Sequence, residues 1–145
     1  MKITYKGDYA LKAVLELSLQ PGKIYTIKDL AKKADIPIKF LEQVLLTLKR
    51  GGFVRSQRGR IGGYLLAKPP GKISIGDIIR YIEGPIEPIG CVNKGYSGCK
   101  DVNHCALRKV FAEVSKATSN IVDNVTFEAL ADRTRSSKAD YTYII

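Results

Sequence analysis

Cys91, Cys99 and Cys105 are the chain's three cysteines, and they fall within one fifteen-residue window with the spacing C-x7-C-x5-C. Thiolates are soft ligands suited to iron–sulfur clusters, zinc and copper(I), and they are also the side chains that register oxidants. A structural zinc site ordinarily shows paired C-x2–4-C spacing and a fourth ligand close by; this window has neither. Long, uneven gaps better suit a loop wrapped around a larger inorganic core. Spacing alone leaves three chemistries open: an iron–sulfur cluster, zinc, or a cluster-free thiol switch. The chain begins Met-Lys-Ile-Thr-Tyr-Lys-Gly-Asp, without an apolar signal core, which points to the cytoplasm, where clustered cysteines bind metal or sense redox state rather than form structural disulfides. Cys105 beside His104 does not make a nucleophile and base, because sequence neighbours rarely achieve that geometry, no oriented acid accompanies them and no substrate-pocket motif appears. As a cluster ligand His104 would conflict with Cys105, since adjacent helical residues point about 100° apart. Catalysis is not expected.

The cysteine window follows a strongly basic region. Residues 1–70 carry 14 Lys+Arg against 5 Asp+Glu, residues 71–145 carry 10 against 9, and no acid occurs between Glu42 and Asp77. Such an asymmetric cationic half calls for a polyanionic partner. Double-stranded DNA is favoured over a membrane surface, since no basic amphipathic helix stands out and no apolar run approaches the ~18–20 residues of a membrane span.

The elements that must position these groups are legible from periodicity and punctuation. Ala10, Leu11, Val14, Leu15 and Leu17 recur at helical spacing over residues 8–20, and Pro21-Gly22 ends that helix. Thr26-Ile-Lys-Asp29 reads as a capping box for a short helix over 27–33. A turn at 34–37 leads into a third helix over 38–49, stopped by Gly51-Gly52. Two β-like pieces, 53–56 and 63–66, flank the glycine-rich cationic connector 57–62, the pattern of a projecting hairpin. Ser74-Ile-Gly-Asp77 is a second capping box, opening a helix that runs to Gly84-Pro85. Residues 85–104 read as a loop. From Asn103 to Asn124, Leu107, Val114 and Ile121 repeat every seven residues, with Phe111, Thr118 and Val125 offset by four. This is the heptad-like pattern of helix pairing, over a span on the order of 30 Å, and it predicts a homodimer.

Helix, short helix, tight turn, helix and basic hairpin together make a winged helix-turn-helix: mainly α, with a small β-hairpin wing, followed by a long C-terminal dimerisation helix. The expected organisation is a DNA-binding domain over 1–84, a cysteine-bearing cluster loop over 85–104, a dimerisation helix with a following short segment over 105–130, and a polar, frayed tail over 131–145. Tyr141 to Ile145 is a candidate docking segment. The start of the recognition helix offers Lys39 for phosphate or guanine, Glu42 for a cytosine amino group and Gln43 for adenine. Arg55, Arg58 and Arg60 lie close to the wing tip, where an arginine suits the enhanced negative potential of a narrow minor groove; Arg58 is the preferred inserted residue. Lys28, Lys49 and Arg50 are candidate phosphate partners.

Phe-Leu-Glu-Gln-Val-Leu at 40–45, followed by Leu48 and the run Gly52-Phe-Val-Arg-Ser-Gln-Arg-Gly-Arg-Ile-Gly-Gly-Tyr-Leu-Leu-Ala67, resembles the IscR/NsrR/RirA group of bacterial winged-helix regulators. Asp8-Tyr-Ala-Leu11, Ser74-Ile-Gly-Asp-Ile-Ile79 and a three-cysteine loop before a long helix fit the same group, so the resemblance covers residues 1–130. It implies a homodimeric transcription regulator in which a cluster held by Cys91, Cys99 and Cys105 sets DNA affinity in response to iron, redox state or nitric oxide. It also implies that Glu42 and Arg58 occupy the major-groove and wing-tip contact positions. IscR-type members supply a histidine three residues after the last cysteine, but here that residue is Arg108, which cannot ligate iron. NsrR-like members use a carboxylate near the N-terminus of the partner subunit, and Asp8 matches that position; a small molecule, as in RirA-like members, is the alternative fourth ligand. Three cysteines without histidine favour a 4Fe–4S over a 2Fe–2S cluster. The alternative is a cluster-free winged-helix regulator controlled by cysteine oxidation or by a protein partner.

Overall fold

The computed structural model describes residues 1–142, with side chains described through Ala139. Helix α1 (Tyr5–Leu19) starts earlier than its apolar periodicity suggests, because Thr4 is its N-cap and accepts a hydrogen bond from the Gly7 amide. Helix α2 (Ile27–Ala34) is capped by Thr26, whose hydroxyl accepts from the Asp29 amide, and it ends at Asp35 in the left-handed conformation. Helix α3 (Ile38–Arg50) follows at once, so the three-residue turn 35–37 sets the angle between α2 and α3. The antiparallel pair β1 (Val54–Gln57) and β2 (Gly63–Leu66) runs in register from Val54 opposite Leu66 to Gln57 opposite Gly63. Tyr25 adds a third, single-residue rung: its amide and carbonyl exchange hydrogen bonds with Tyr64 at 2.9 and 2.8 Å. Gly63 permits that rung, since a Cβ there would lie 2.1 Å from the Tyr25 carbonyl oxygen.

Helix α4 (Ile75–Glu83) carries the complete reciprocal box between Ser74 and Asp77 that its sequence promises. The following loop contains one 3-10 turn, Gly90–Val92, and leads to helix α5 (Ala106–Asp123). The chain then doubles back. The Ile75 amide donates to the Val125 carbonyl and the Phe127 amide to the Ile73 carbonyl, a short antiparallel stitch that aims helix α6 (Phe127–Thr142) at α1.

The core is built from Ala10, Ala13, Val14 and Leu17 of α1, Leu30 of α2, Leu41, Leu45 and Leu48 of α3, and Ile73 and Ile78 around the start of α4. Phe127 and Ala131 of α6 close it. The expectation of a frayed polar tail from residue 131 is therefore corrected over 131–142, which continue α6. Most of α6 is polar and gives no apolar periodicity, yet a few residues are enough to dock it: Phe127 and Ala131 fill the core, and Arg135 donates to the last-turn carbonyl of Leu19 at 2.8 Å. The boundary drawn at 130/131 falls inside this helix. Residues 143–145, and the side chains from Asp140, lie outside the described set, and with them the suggested docking segment.

Helix α5 buries no residue fully. Phe111, Ser115, Thr118 and Val122 lie half-buried on the side that faces the body, with the Ser115 hydroxyl donating to the Ile86 carbonyl at 2.8 Å. Leu107, Val110, Val114 and Ile121 form the opposite, exposed stripe. The offset set at 111 and 118 thus turns inward, and Val110 takes its place beside the seven-residue repeat.

Candidate nucleic-acid interface and the cysteine loop

The recognition helix sorts its residues by burial. Leu41, Val44, Leu45 and Leu48 anchor α3 in the core, which leaves Lys39, Glu42 and Gln43 exposed on its outer face. Pro37, the N-cap, provides no side-chain hydrogen bond, and the first turn holds no acid. The partial positive charge at this helix end is therefore not neutralised from within, as suits a helix that approaches phosphates. Lys28 is exposed in the first turn of α2.

Arg55, Arg58 and Arg60 are all exposed on the wing, and among the described residues none forms an ion pair. Gly59 at the tip has φ +130°, a conformation that side-chain-bearing residues rarely adopt. Ile61, beside Arg60, is 82% exposed. Lys49 is committed within the molecule: its Nζ donates to the Ser56 hydroxyl at 2.7 Å and ties the end of α3 to β1. That tie sets the wing at a defined distance from the recognition helix. A seven-residue contact across a turn has no periodic signature, so the sequence alone places Lys49 among the phosphate candidates.

The cysteines are free thiols disposed along the loop: Cys91 half-buried in the 3-10 turn, Cys99 exposed, and Cys105 half-buried as N-cap of α5. Arg108, one turn into α5, donates from Nε to the Cys91 carbonyl oxygen at 2.7 Å. It thereby draws the turn carrying Cys91 to the helix end carrying Cys105. Among the described residues no three Cys, His, Asp or Glu side chains gather as a metal-holding group. Asp8 pairs with Lys12 at 2.7 Å on the surface of α1, and this hydrogen bond raises the Lys12 ammonium above its ordinary value. His104 is exposed and faces Asp101 at 3.5 Å. The donor chemistry nevertheless suits an iron–sulfur group: three free, soft thiols on one loop, two of them joined at its base through Arg108.

Residues 3–133 match the Rrf2 family, described as iron-dependent transcriptional regulators. The chain belongs to the Rrf2 family of transcriptional regulators. An rrf2-like HTH-type regulator of Rhodobacter capsulatus is 42% identical over 134 residues, covering 87% of this chain and 89% of that protein. The transcriptional regulator CymR of Bacillus subtilis is 34% identical over the full length of both chains. Its solved structure, that of the global cysteine regulator of that organism, superimposes with a TM-score of 0.78 at 33% identity over 92% of this chain and 98% of CymR. The structure of T. potens IscR gives 0.75 at 28% identity, over 94% and 90% respectively. This Rrf2 protein is accordingly a DNA-binding regulator with a winged helix, and not an enzyme. No helix among its described residues is long and apolar enough to cross a membrane.

Proposed function

We propose that two copies of this Rrf2 chain bind one DNA duplex, and that an iron–sulfur cluster held by Cys91, Cys99 and Cys105 sets their affinity for it. Lys39, Glu42 and Gln43 read base edges in the major groove, Arg58 with Arg55 and Arg60 enters the flanking minor groove, and Lys28 meets phosphate. The observation that carries this reading is the placement of the thiols. Cys105 caps the very helix whose exposed Leu107, Val110, Val114 and Ile121 offer a self-association stripe, and Cys91 is tied to that helix by Arg108. Ordering the loop therefore bears on how two recognition helices are spaced, and they must sit about 34 Å apart to reach successive major grooves. Such a group supplies a charged inorganic core whose presence depends on iron and oxidant. Three thiolates without histidine favour the 4Fe–4S type, with Asp8 of a second copy as fourth donor once it leaves Lys12. A regulator of this kind acts in the cytoplasm.

Absorption and Mössbauer spectra of oxygen-free protein reconstituted with iron and sulfide test the cofactor. Cys→Ala at 91, 99 or 105 is expected to abolish those spectra and alter DNA affinity without unfolding the chain. Equal DNA binding by loaded and apo protein would reject the coupling, and an unchanged spectrum in Asp8→Ala would remove Asp8. Two observations favour a second reading. CymR, the global cysteine regulator, matches end to end, and no three donors converge among the described residues. In that reading the same thiols act without a cluster, through oxidation or through a protein partner, and the reconstituted protein stays colourless.

A further inference from the structure

An aromatic ladder runs from the start of α1 to the recognition helix. The rings of Tyr5 and Tyr9 lie 6.2 Å apart, those of Tyr9 and Phe40 lie 6.1 Å apart, and the Lys39 ammonium sits 5.9 Å from the Phe40 ring. These rings border a cleft of about 620 Å³ lined by Tyr5, Lys6, Tyr9, Phe40, Gln43 and Val44. No acid lines it. Tyr5 is 82% exposed, so the fold's own packing does not account for its position. Lys6 is exposed and forms no ion pair among the described residues.

We propose that this cleft is a third part of the DNA interface, in which Lys6 and the Tyr5 hydroxyl hold one strand of the sugar–phosphate backbone beside the recognition helix. Gln43 belongs both to the cleft and to the base-reading face, so a duplex engaged by Gln43 must pass the mouth of the cleft. The lining matches a DNA backbone: an unpaired cation and phenol hydroxyls for phosphate, and aromatic walls for deoxyribose. A second copy of the chain is the other candidate occupant. Lys6 in the lining and Lys39 beside Phe40 argue against it, as does the separate apolar stripe that α5 offers for self-association.

The proposal rests on Gln43 facing DNA, so Gln43→Ala is measured beside Lys6→Ala and Tyr5→Ala in the full chain. The probe is a duplex enriched from a random-sequence pool by the wild-type protein. Over about 50–200 mM salt, Lys6→Ala is expected to reduce the slope of log K against log salt by ~0.9 for each protomer engaged. Tyr5→Ala should weaken binding several-fold, equally on base-substituted duplexes, whereas Gln43→Ala should change base preference. An unchanged salt slope in Lys6→Ala together with wild-type affinity in Tyr5→Ala overturns the proposal. So does a loss of dimer, by light scattering, in place of a loss of phosphate contacts, which would give the cleft to a second copy. If Gln43→Ala leaves base preference intact, the placement of the recognition helix itself fails.

Discussion

Arg108 Nε donates to the carbonyl oxygen of Cys91 at 2.7 Å, a contact across seventeen positions of sequence. It joins the turn that carries Cys91 to the helix that Cys105 opens. The residue that departs from the histidine of IscR-type proteins is therefore a structural clasp in this chain. Arg108→Ala removes one part-buried hydrogen bond from a charged donor, about 1.5 kcal/mol. Amide exchange across residues 89–93 should accelerate roughly tenfold and maleimide labelling of Cys91 should quicken, while exchange in α1 and α3 stays as it was. Unchanged exchange in the loop would show that the clasp is not populated in solution.

Glu42 and Arg58 are both exposed and lie on different elements, so their substitutions should separate. Glu42→Ala is expected to cost discrimination at one base pair, about 1–3 kcal/mol, and to leave the salt slope alone. Arg58→Ala should lower affinity most where the flanking minor groove is narrow, in A-tract duplexes. Binding titrations on a matched panel of duplexes distinguish the two.

Gly7 leaves room for the Glu83 carboxylate, which accepts from both the amide and the hydroxyl of Thr4 at 2.8 and 2.7 Å. A Cβ at residue 7 would lie 2.2 Å from Glu83 Oε1. Alanine ordinarily stabilises a helix interior by up to about 1 kcal/mol over glycine. Here Gly7→Ala should instead destabilise by about 1 kcal/mol, because it dislodges the carboxylate that fastens α1 to α4. In a Glu83→Ala background the same change should turn stabilising. Urea unfolding of the four proteins in this cycle measures the sign reversal.

Arg80 and Asp123 join α4 to the end of α5 through two hydrogen bonds, at 2.5 and 3.0 Å. The hydrogen bond from Arg80, opposed by partial desolvation and helped by its charge, holds the Asp123 carboxyl below its ordinary value, and the same pair raises Arg80. The lower value belongs to the folded state, so the pair stabilises above the ordinary carboxylate range and that contribution is lost as pH falls through the folded value. Both side chains are about 40% exposed, so solvent screening limits the effect to about 0.5–1 kcal/mol. Asp123→Asn should flatten this part of the acid limb of the stability–pH curve, and high salt should mimic it.

Val114 sits mid-way along the exposed stripe of α5. Val114→Asp places a charge that must be desolvated on pairing, and should weaken self-association roughly a hundredfold or more. Sedimentation should then show a folded monomer with unchanged helix content. A dimer of wild-type strength would move the self-association surface elsewhere.

The helix-turn-helix and its wing were legible in the sequence because their determinants are local. Thr26 and Ser74 cap where a hydroxyl is needed, apolar residues recur at 3.6 or alternate, and glycines mark the wing connector; each acts on neighbours within a few residues. The exposed Lys39, Glu42, Gln43, Arg55, Arg58 and Arg60 follow once those elements exist, since the buried positions between them leave only one outward face. Tertiary structure decided the rest. The seven-residue repeat of α5 gave a spacing, but whether Val110 or Phe111 faces outward depends on where the body lies. Helix α6 is mostly polar; it buries Phe127 and Ala131, and Phe127 and Arg135 bond to Ile73 and Leu19, partners more than fifty residues away that no local pattern encodes. The cysteines show the same division: their number, spacing and softness are written in the chain, while the clasp that brings Cys91 to the helix of Cys105 exists only because α5 folds back over the loop.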